Sequence, residues 1–209
     1  MSDTAPTTCA PHDNAIAQRI LEAGVQLFAR KGYAATSTRE IVEKAQITKP
    51  MLYYYYKSKE GLCRAALETF LDEVERRQRE ATARFSDPVE LLVEHVWCLF
   101  QIFLDRPDFS RLLITFTFGP DEQVPGISMI AMAQRAVASL ERAAEGACRS
   151  GVIRAGATGD LTMALRGAVL GWSAAALHRP EVVLSRDLAS SIVRDLLCGF
   201  GAPGSATAE

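Results

Sequence analysis

The sequence contains no Cys-x-x-Cys pair. Its five cysteines (Cys9, Cys63, Cys98, Cys148 and Cys198) are odd in number and widely spaced. This excludes a disulfide framework and points to a reduced, cytoplasmic protein. The longest uncharged apolar stretch, near Gly167–Leu177, falls far short of the ~18 residues a membrane span requires, so no membrane partner is expected. Met1 to Pro11 is small and polar rather than basic and then apolar, which excludes a signal peptide as the reading of this stretch. There is no Ser/His/Asp set, no glycine-rich phosphate loop and no pair of carboxylates in a catalytic context. No catalytic residue and no cofactor is therefore assigned. His95 and Cys98 lie three apart, a spacing that suits two metal ligands on one helix, but a tetrahedral site needs four and no other cluster is evident. Both are read as core side chains, His178 as a helix-end residue, and no metal is expected.

Charge is scarce in sum and uneven in place. The formal net charge is −2, yet Arg30 to Lys59 holds seven basic residues against two acids, a local +5 that leaves −7 for the remainder. A basic patch on an acidic body suits a protein that meets a polyanion at one end only. The same stretch holds four of the five tyrosines, Tyr53 to Tyr56, side by side between lysines. Aromatic hydroxyls beside ammonium groups can grip phosphates while touching flatter surfaces between them, which points to DNA. The alternative for each ring is packing within a small helical core, and that is the preferred reading for Tyr56 and Tyr33.

Nearly every segment has helical periodicity and none alternates as a strand does, so the fold class is all-α. Ile16, Ile20, Ala23 and Leu27 predict a first helix closing at Lys31-Gly32. Ser37 with Glu40 forms a serine-x-x-glutamate capping box that opens a short second helix. Gln46-Ile47 is a turn, and Thr48 caps a third helix with Pro50 in its first turn. Ser58 opens a long helix to about Phe85, and Asp87-Pro88 opens the next, to Leu104. Pro107 begins a helix ending at Gly119, a loop spans 119–126, and further helices cover about 127–150, from an Asp160 cap to before Pro180, and from a Ser185 cap to Gly199. The predicted organisation is an arm at 1–13, a helix-turn-helix domain at 14–60, a helical domain at 61–199 and a tail at 200–209.

A capped short helix, a tight turn and a second short helix make the helix-turn-helix unit. The first helix offers its N-terminus to a phosphate, with Thr38 and Arg39 in that turn. The second enters the major groove with its N-terminal residues toward the bases, placing Lys49, Pro50 and Tyr54 at the front while Leu52 and Tyr56 face inward. Lys59, in the first turn of the fourth helix, stands near a second phosphate.

The stretch Arg19 to Leu62, with Leu27-Phe28, Gly32-Tyr33, Thr36-Ser37, Ile41, Ala45, Thr48, Leu52-Tyr53, Tyr55-Tyr56, Lys57, Ser58-Lys59-Glu60 and Leu62, resembles the N-terminal domain of TetR/AcrR transcriptional regulators. The resemblance covers about the first third of the chain, and it implies that the helical remainder, 61–199, is a ligand-binding and dimerisation domain. It implies phosphate contacts from Thr38, Thr48, Tyr53 and Lys59, base-edge contacts from Lys49 and Tyr54, and a backbone contact from Tyr55. Pro50 stands where the family most often has glycine, and Tyr56 where it usually has phenylalanine.

Seven of sixteen aromatic residues fall within 85–118. Trp97, Phe100, Phe103, Leu104, Leu113 and Phe116, with Met129, Met132 and Gln134, read as core or as walls of an apolar pocket. The resemblance raises the second reading, because such regulators usually bind a small effector there. Ala164, Ala168, Gly171 and Ala175 form a small-residue stripe and Leu188, Ile192 and Leu196 an apolar one. Both suit packing within one chain or a four-helix interface between two copies. The expected partners are a second copy, a palindromic double-stranded DNA operator and a small-molecule effector, and the expected role is a cytoplasmic repressor. The alternative is a helical small-molecule-binding protein or enzyme whose basic face is incidental.

Overall fold

The computed structural model describes residues 11–118 and 127–200, and among them the chain forms nine helices and no strand. They are α1 (Pro11–Lys31), α2 (Thr38–Ala45), α3 (Lys49–Tyr56), α4 (Lys59–Arg84), α5 (Pro88–Asp105), α6 (Pro107–Phe118), α7 (Met129–Arg149), α8 (Thr158–His178) and α9 (Arg186–Phe200). The expected loop at 119–126, most of the arm and all but the first residue of the tail lie outside the described residues. Residues 11–13, expected in the arm, begin α1.

Local chemistry sets most helix ends. Gly32 has φ of 81°, and its N–H donates to the Phe28 carbonyl at 2.9 Å, closing α1. Ser37 caps α2 with a complete capping box, its hydroxyl accepting from the Glu40 N–H while the Glu40 carboxylate accepts from the Ser37 N–H. Ser58 accepts from the Gly61 N–H, Asp87 from the N–H groups of Val89 and Glu90, and Ser185 from that of Leu188. Each of these acceptors satisfies donors that a helix start leaves orphaned.

Two expected caps differ. Thr48 occupies the N-cap of α3, but its hydroxyl makes no capping hydrogen bond. Asp160 is the third residue of α8 rather than its cap; Ala157 takes that position without a side-chain acceptor. The turn ahead, with Gly156 at φ of 84°, starts the helix earlier than aspartate chemistry alone would.

Two apolar clusters hold the bundle. One joins α1, α2, α3 and the first half of α4 to Ile102, Phe109 and Leu112 of α5 and α6, with Phe70 stacked on Phe109 at 6.5 Å. The other gathers α5, α7, α8 and α9 around Leu92, Phe100, Leu140, Leu161 and Leu165. The expected boundary near residue 60 therefore falls within a continuous core. Helix α4 contributes to the first cluster and packs along α1, α5 and α7.

Candidate nucleic-acid interface and cavity

The turn between α2 and α3 is built from backbone that side chains rarely adopt. Gln46 is left-handed at φ of 52°, and its N–H reaches the Glu43 carbonyl. Ile41, Ala45 and Leu52 are buried, which fixes α3 against α1 and α2 and decides which of its faces is left outside. That outer face carries Lys49, Pro50, Tyr53 and Tyr54, with Thr48 beside them, all exposed. Tyr54 is 67% exposed and Tyr53 40%, so neither ring belongs to the core. The Lys49 ammonium lies 5.9 Å from the Tyr53 ring centroid and that of Lys57 5.8 Å from Tyr54, which gives the face a mixed cationic and aromatic character. Tyr55 is half-buried and meets Tyr54 edge-on at 5.0 Å. Of the neighbouring α2 residues, Thr38 is half-buried and Arg39 exposed; the guanidinium pairs with Glu43 at 2.7 Å.

Tyr56 turns inward as expected. Its hydroxyl donates to the Ala17 carbonyl at 2.8 Å, and burial pushes its pKa up to about 12. Tyr33 is buried too, and burial followed by the nearby Glu60 raises its pKa.

Lys59, expected near a phosphate, is also engaged within its own chain. Its ammonium donates at 3.0 Å to both the Tyr33 and Thr36 carbonyls and sits 4.1 Å from the Tyr33 ring centroid. Two of its three donors thus hold the α1–α2 loop, leaving one for any phosphate. Between α3 and α4 the chain turns sharply at Lys57, whose φ is 65°. At Gly61 a Cβ would stand 2.0 Å from the Tyr56 carbonyl oxygen, so glycine is the one residue this junction accepts. At Gly24 it would stand 2.7 Å from Leu62 Cδ2. Helix α3 is therefore coupled tightly to the start of α4.

Farther along α4, a cavity of about 450 Å³ opens between α4, α5, α6, α7 and α8. Leu67, Phe70, Leu71 and Val74 of α4 form one wall; Leu99 and Phe103 of α5 with Leu113 and Phe116 of α6 form another. Met132, Gln134 and Leu140 of α7 and Met163, Arg166, Val169 and Leu170 of α8 complete it. The volume lies within the ~300–1,000 Å³ range of small-molecule sites.

Residues 20–66 match the family model described as bacterial regulatory proteins, tetR family. That segment matches the TetR-family N-terminal domain. YerO, an HTH-type transcriptional regulator of Bacillus subtilis, is 33% identical over 108 residues, 51% of this chain and 37% of YerO. AcrR of Shigella flexneri is 28% identical over 119 residues, 56% of this chain and 55% of AcrR. The chain thus spans only about a third to just over half of the length of these curated relatives. Among solved structures, a tetR-family regulatory protein from Rhodococcus RHA1 superposes with a TM-score of 0.73 at 21% identity, covering 90% of this chain and 98% of that one. FadR of Bacillus subtilis, solved with stearoyl-CoA, does so at 0.75 and 16%, covering 88% and 98%. At these identities the superpositions speak for the fold. The relatives and the fold are those of regulators rather than enzymes.

Within this TetR fold, four of the expected pocket residues, Phe103, Leu113, Phe116 and Met132, line the cavity, and so does Gln134. Three do not. Phe100 is fully buried in the second cluster, Trp97 packs half-buried against that cluster, and Leu104 is 52% exposed on the outside of α5. The Met129 side chain lies outside the described residues. The α4 wall and Arg166 were missed by the sequence reading. A leucine facing a cavity has the same periodicity as one facing a core, so only Arg166, a lone guanidinium on an apolar helix, carried a signal.

On α8, Ala164, Ala168 and Ala175 are half-buried and Gly171 is exposed with open space at its Cβ position. Met163 and Trp172, 63% and 39% exposed, extend this face and were also missed. On α9, Leu188 and Leu196 are half-buried, whereas Ile192 is 8% exposed and spends its surface inside its own chain. His95 and Cys98 are both buried. The His95 ring meets the Thr82 hydroxyl at 3.3 Å, and no group of three or more metal-ligating side chains occurs among the described residues. Among the described residues, too, no helix is long and apolar enough to cross a membrane.

Proposed function

We propose that the chain is a homodimeric, sequence-specific DNA-binding transcriptional regulator acting in the cytoplasm. In this reading it is a repressor, released from a palindromic operator by a small apolar or amphipathic effector. One observation carries the reading: α3 presents Lys49, Pro50, Tyr53 and Tyr54 outward on a basic surface while Leu52 and Tyr56 anchor it from behind. A helix about 10–12 Å across fits a major groove about 12 Å wide. Lys49 and Tyr54 then address base edges. Thr38, Thr48, Tyr53 and the remaining donor of Lys59 address phosphates; Arg39 and Tyr55 flank the backbone. The uncapped Thr48 hydroxyl is free to donate in this way.

Release follows from the position of α4. Its first turn is locked to α3 at Gly61, and its Leu67–Val74 segment is a wall of the cavity. A ligand that prefers one position of α4 biases the separation of two reading heads, which successive grooves require to be about 34–36 Å. Two copies joining through the outer faces of α8 and α9, with Ala164, Ala168, Gly171, Ala175, Leu188 and Leu196, would supply the two-fold axis. Ile192 supports this interface from within its own chain. Relatives named as repressors, such as NicS of Pseudomonas putida, and the stearoyl-CoA complex of FadR support the repressor role and an apolar effector.

The test is selection of bound duplexes from a random library by the full chain. Recovered sequences should share two inverted half-sites about one helical turn apart. Enrichment of no motif would overturn the reading.

A further inference from the structure

The cavity is apolar except at one place. Arg166 is the single charged side chain among its lining residues, and it forms no hydrogen bond or ion pair among the described residues. Arg166 is half-buried, and a guanidinium set among apolar side chains offers a fork of donors that suits an anionic group. Its neighbours at helical spacing, Met163, Val169 and Leu170, also line the cavity, with Val169 buried and Met163 63% exposed.

The cavity also has two unlike ends. Arg135 of α7 pairs with Asp72 and Glu75, which sets α7 alongside α4. Just past the lining residues Val74 and Leu99, α4 and α5 turn polar. Gln78, one turn past Val74, and His95, one turn before Leu99, are buried though neither lines the cavity. Neither the Gln78 amide nor the His95 Nδ1 has a hydrogen-bond partner among the described residues. In the opposite direction the walls are Leu67, Phe70, Phe116 and Met132.

We propose that the occupant of this cavity is an amphipathic carboxylate whose anionic head pairs with Arg166 and whose apolar body lies toward Phe70 and Phe116. The proposal rests on the reading of the cavity as an effector site and names the class of effector. Planar guanidinium and carboxylate groups match in a two-point hydrogen bond, and the pairing gains strength where water is excluded.

The experiment compares decanoate with decanol, and 2-naphthoate with 2-naphthol, by calorimetric titration of the full chain. At least one carboxylate should bind on the order of ten- to a hundredfold tighter than its alcohol, the ratio expected for one charge-assisted hydrogen-bonded contact. Which pair shows it tells an aliphatic body from an aromatic one. Arg166→Gln should abolish the preference, and Arg166→Lys should retain part of it; thermal melts of both confirm that they fold. Equal affinity for acid and alcohol, or a preference that survives Arg166→Gln, would overturn the proposal. In that event alcohol binding lost in Leu71→Trp, which fills the cavity, would preserve the effector site itself. Absence of binding by all four compounds would overturn the carboxylate assignment; the site would then stand or fall on whether Leu71→Trp alters operator affinity.

Discussion

Replacing Lys59 with methionine removes an ammonium and keeps most of its stem. In the folded chain that ammonium donates at 3.0 Å to the Tyr33 and Thr36 carbonyls, across the α1–α2 loop, and lies 4.1 Å from the Tyr33 ring. Hydrogen bonds to charged groups contribute about 1.5–3 kcal/mol. Lys59 is only half-buried, so water competes, and about 1 kcal/mol for each bond is the appropriate figure. The loss of about 2 kcal/mol should lower Tm by about 4–8 °C in a chain of this size. One donor remains for a phosphate, so the slope of log affinity against log salt should shrink by about one as well. Thermal melts and operator titrations by fluorescence anisotropy at several salt concentrations read both effects. A Tm within about 1 °C of the parent would refute the loop-holding role. A reduced Tm with an unchanged salt slope would make Lys59 a clamp alone.

Burial, with a smaller push from Arg142, lowers the His95 pKa from 6.5 to about 4. The folded value lies below the unfolded one, so its contribution is complete above about pH 6.5 and fades as pH falls toward 4. Between pH 7.5 and pH 5 about 2 kcal/mol should vanish from the urea-unfolding free energy, and His95→Phe should flatten that difference. Equal pH dependence in both proteins would contradict it; Glu73, held near 2 by its hydrogen bond to Arg76, titrates below this window. Gly61→Ala should cost about 2–3 kcal/mol and weaken operator binding, because the Cβ meets backbone at 2.0 Å. A melt unchanged from the parent would show that the junction yields freely. Tyr56→Phe should cost about 1 kcal/mol through the lost Ala17 bond and leave sequence preference alone. An altered preference in a binding-site selection would instead place that ring in the groove.

Features fixed by residues a few positions apart were legible in the sequence. The caps at Ser37, Ser58, Asp87 and Ser185 each depend on a side chain and an amide within three residues, and all four form. The exposed basic and aromatic face of α3 was legible for the same reason: charge, aromatic run and turn share one short segment. Contacts that span the chain were not. Nothing near Lys59 announces that its ammonium will meet carbonyls 23 and 26 residues earlier, and nothing near Tyr56 announces Ala17. The cavity was half-legible because periodicity finds the inner face of a helix but not what that face meets. Phe100 and Phe103 lie one turn apart on α5, yet the first fills the core and the second the cavity wall. Ile192 shows the same limit on α9, where spacing alone cannot separate a chain's own core from a partner's surface.

The central claim is that the outward face of α3 reads DNA. Its most direct test is the affinity of Lys49→Ala and Tyr54→Phe for the selected operator and for a scrambled duplex, each measured across a salt series. Both substitutions should cost about 1–3 kcal/mol on the operator and far less on scrambled DNA, narrowing the ratio between the two. Unchanged affinity, or an equal loss on both duplexes, would contradict it.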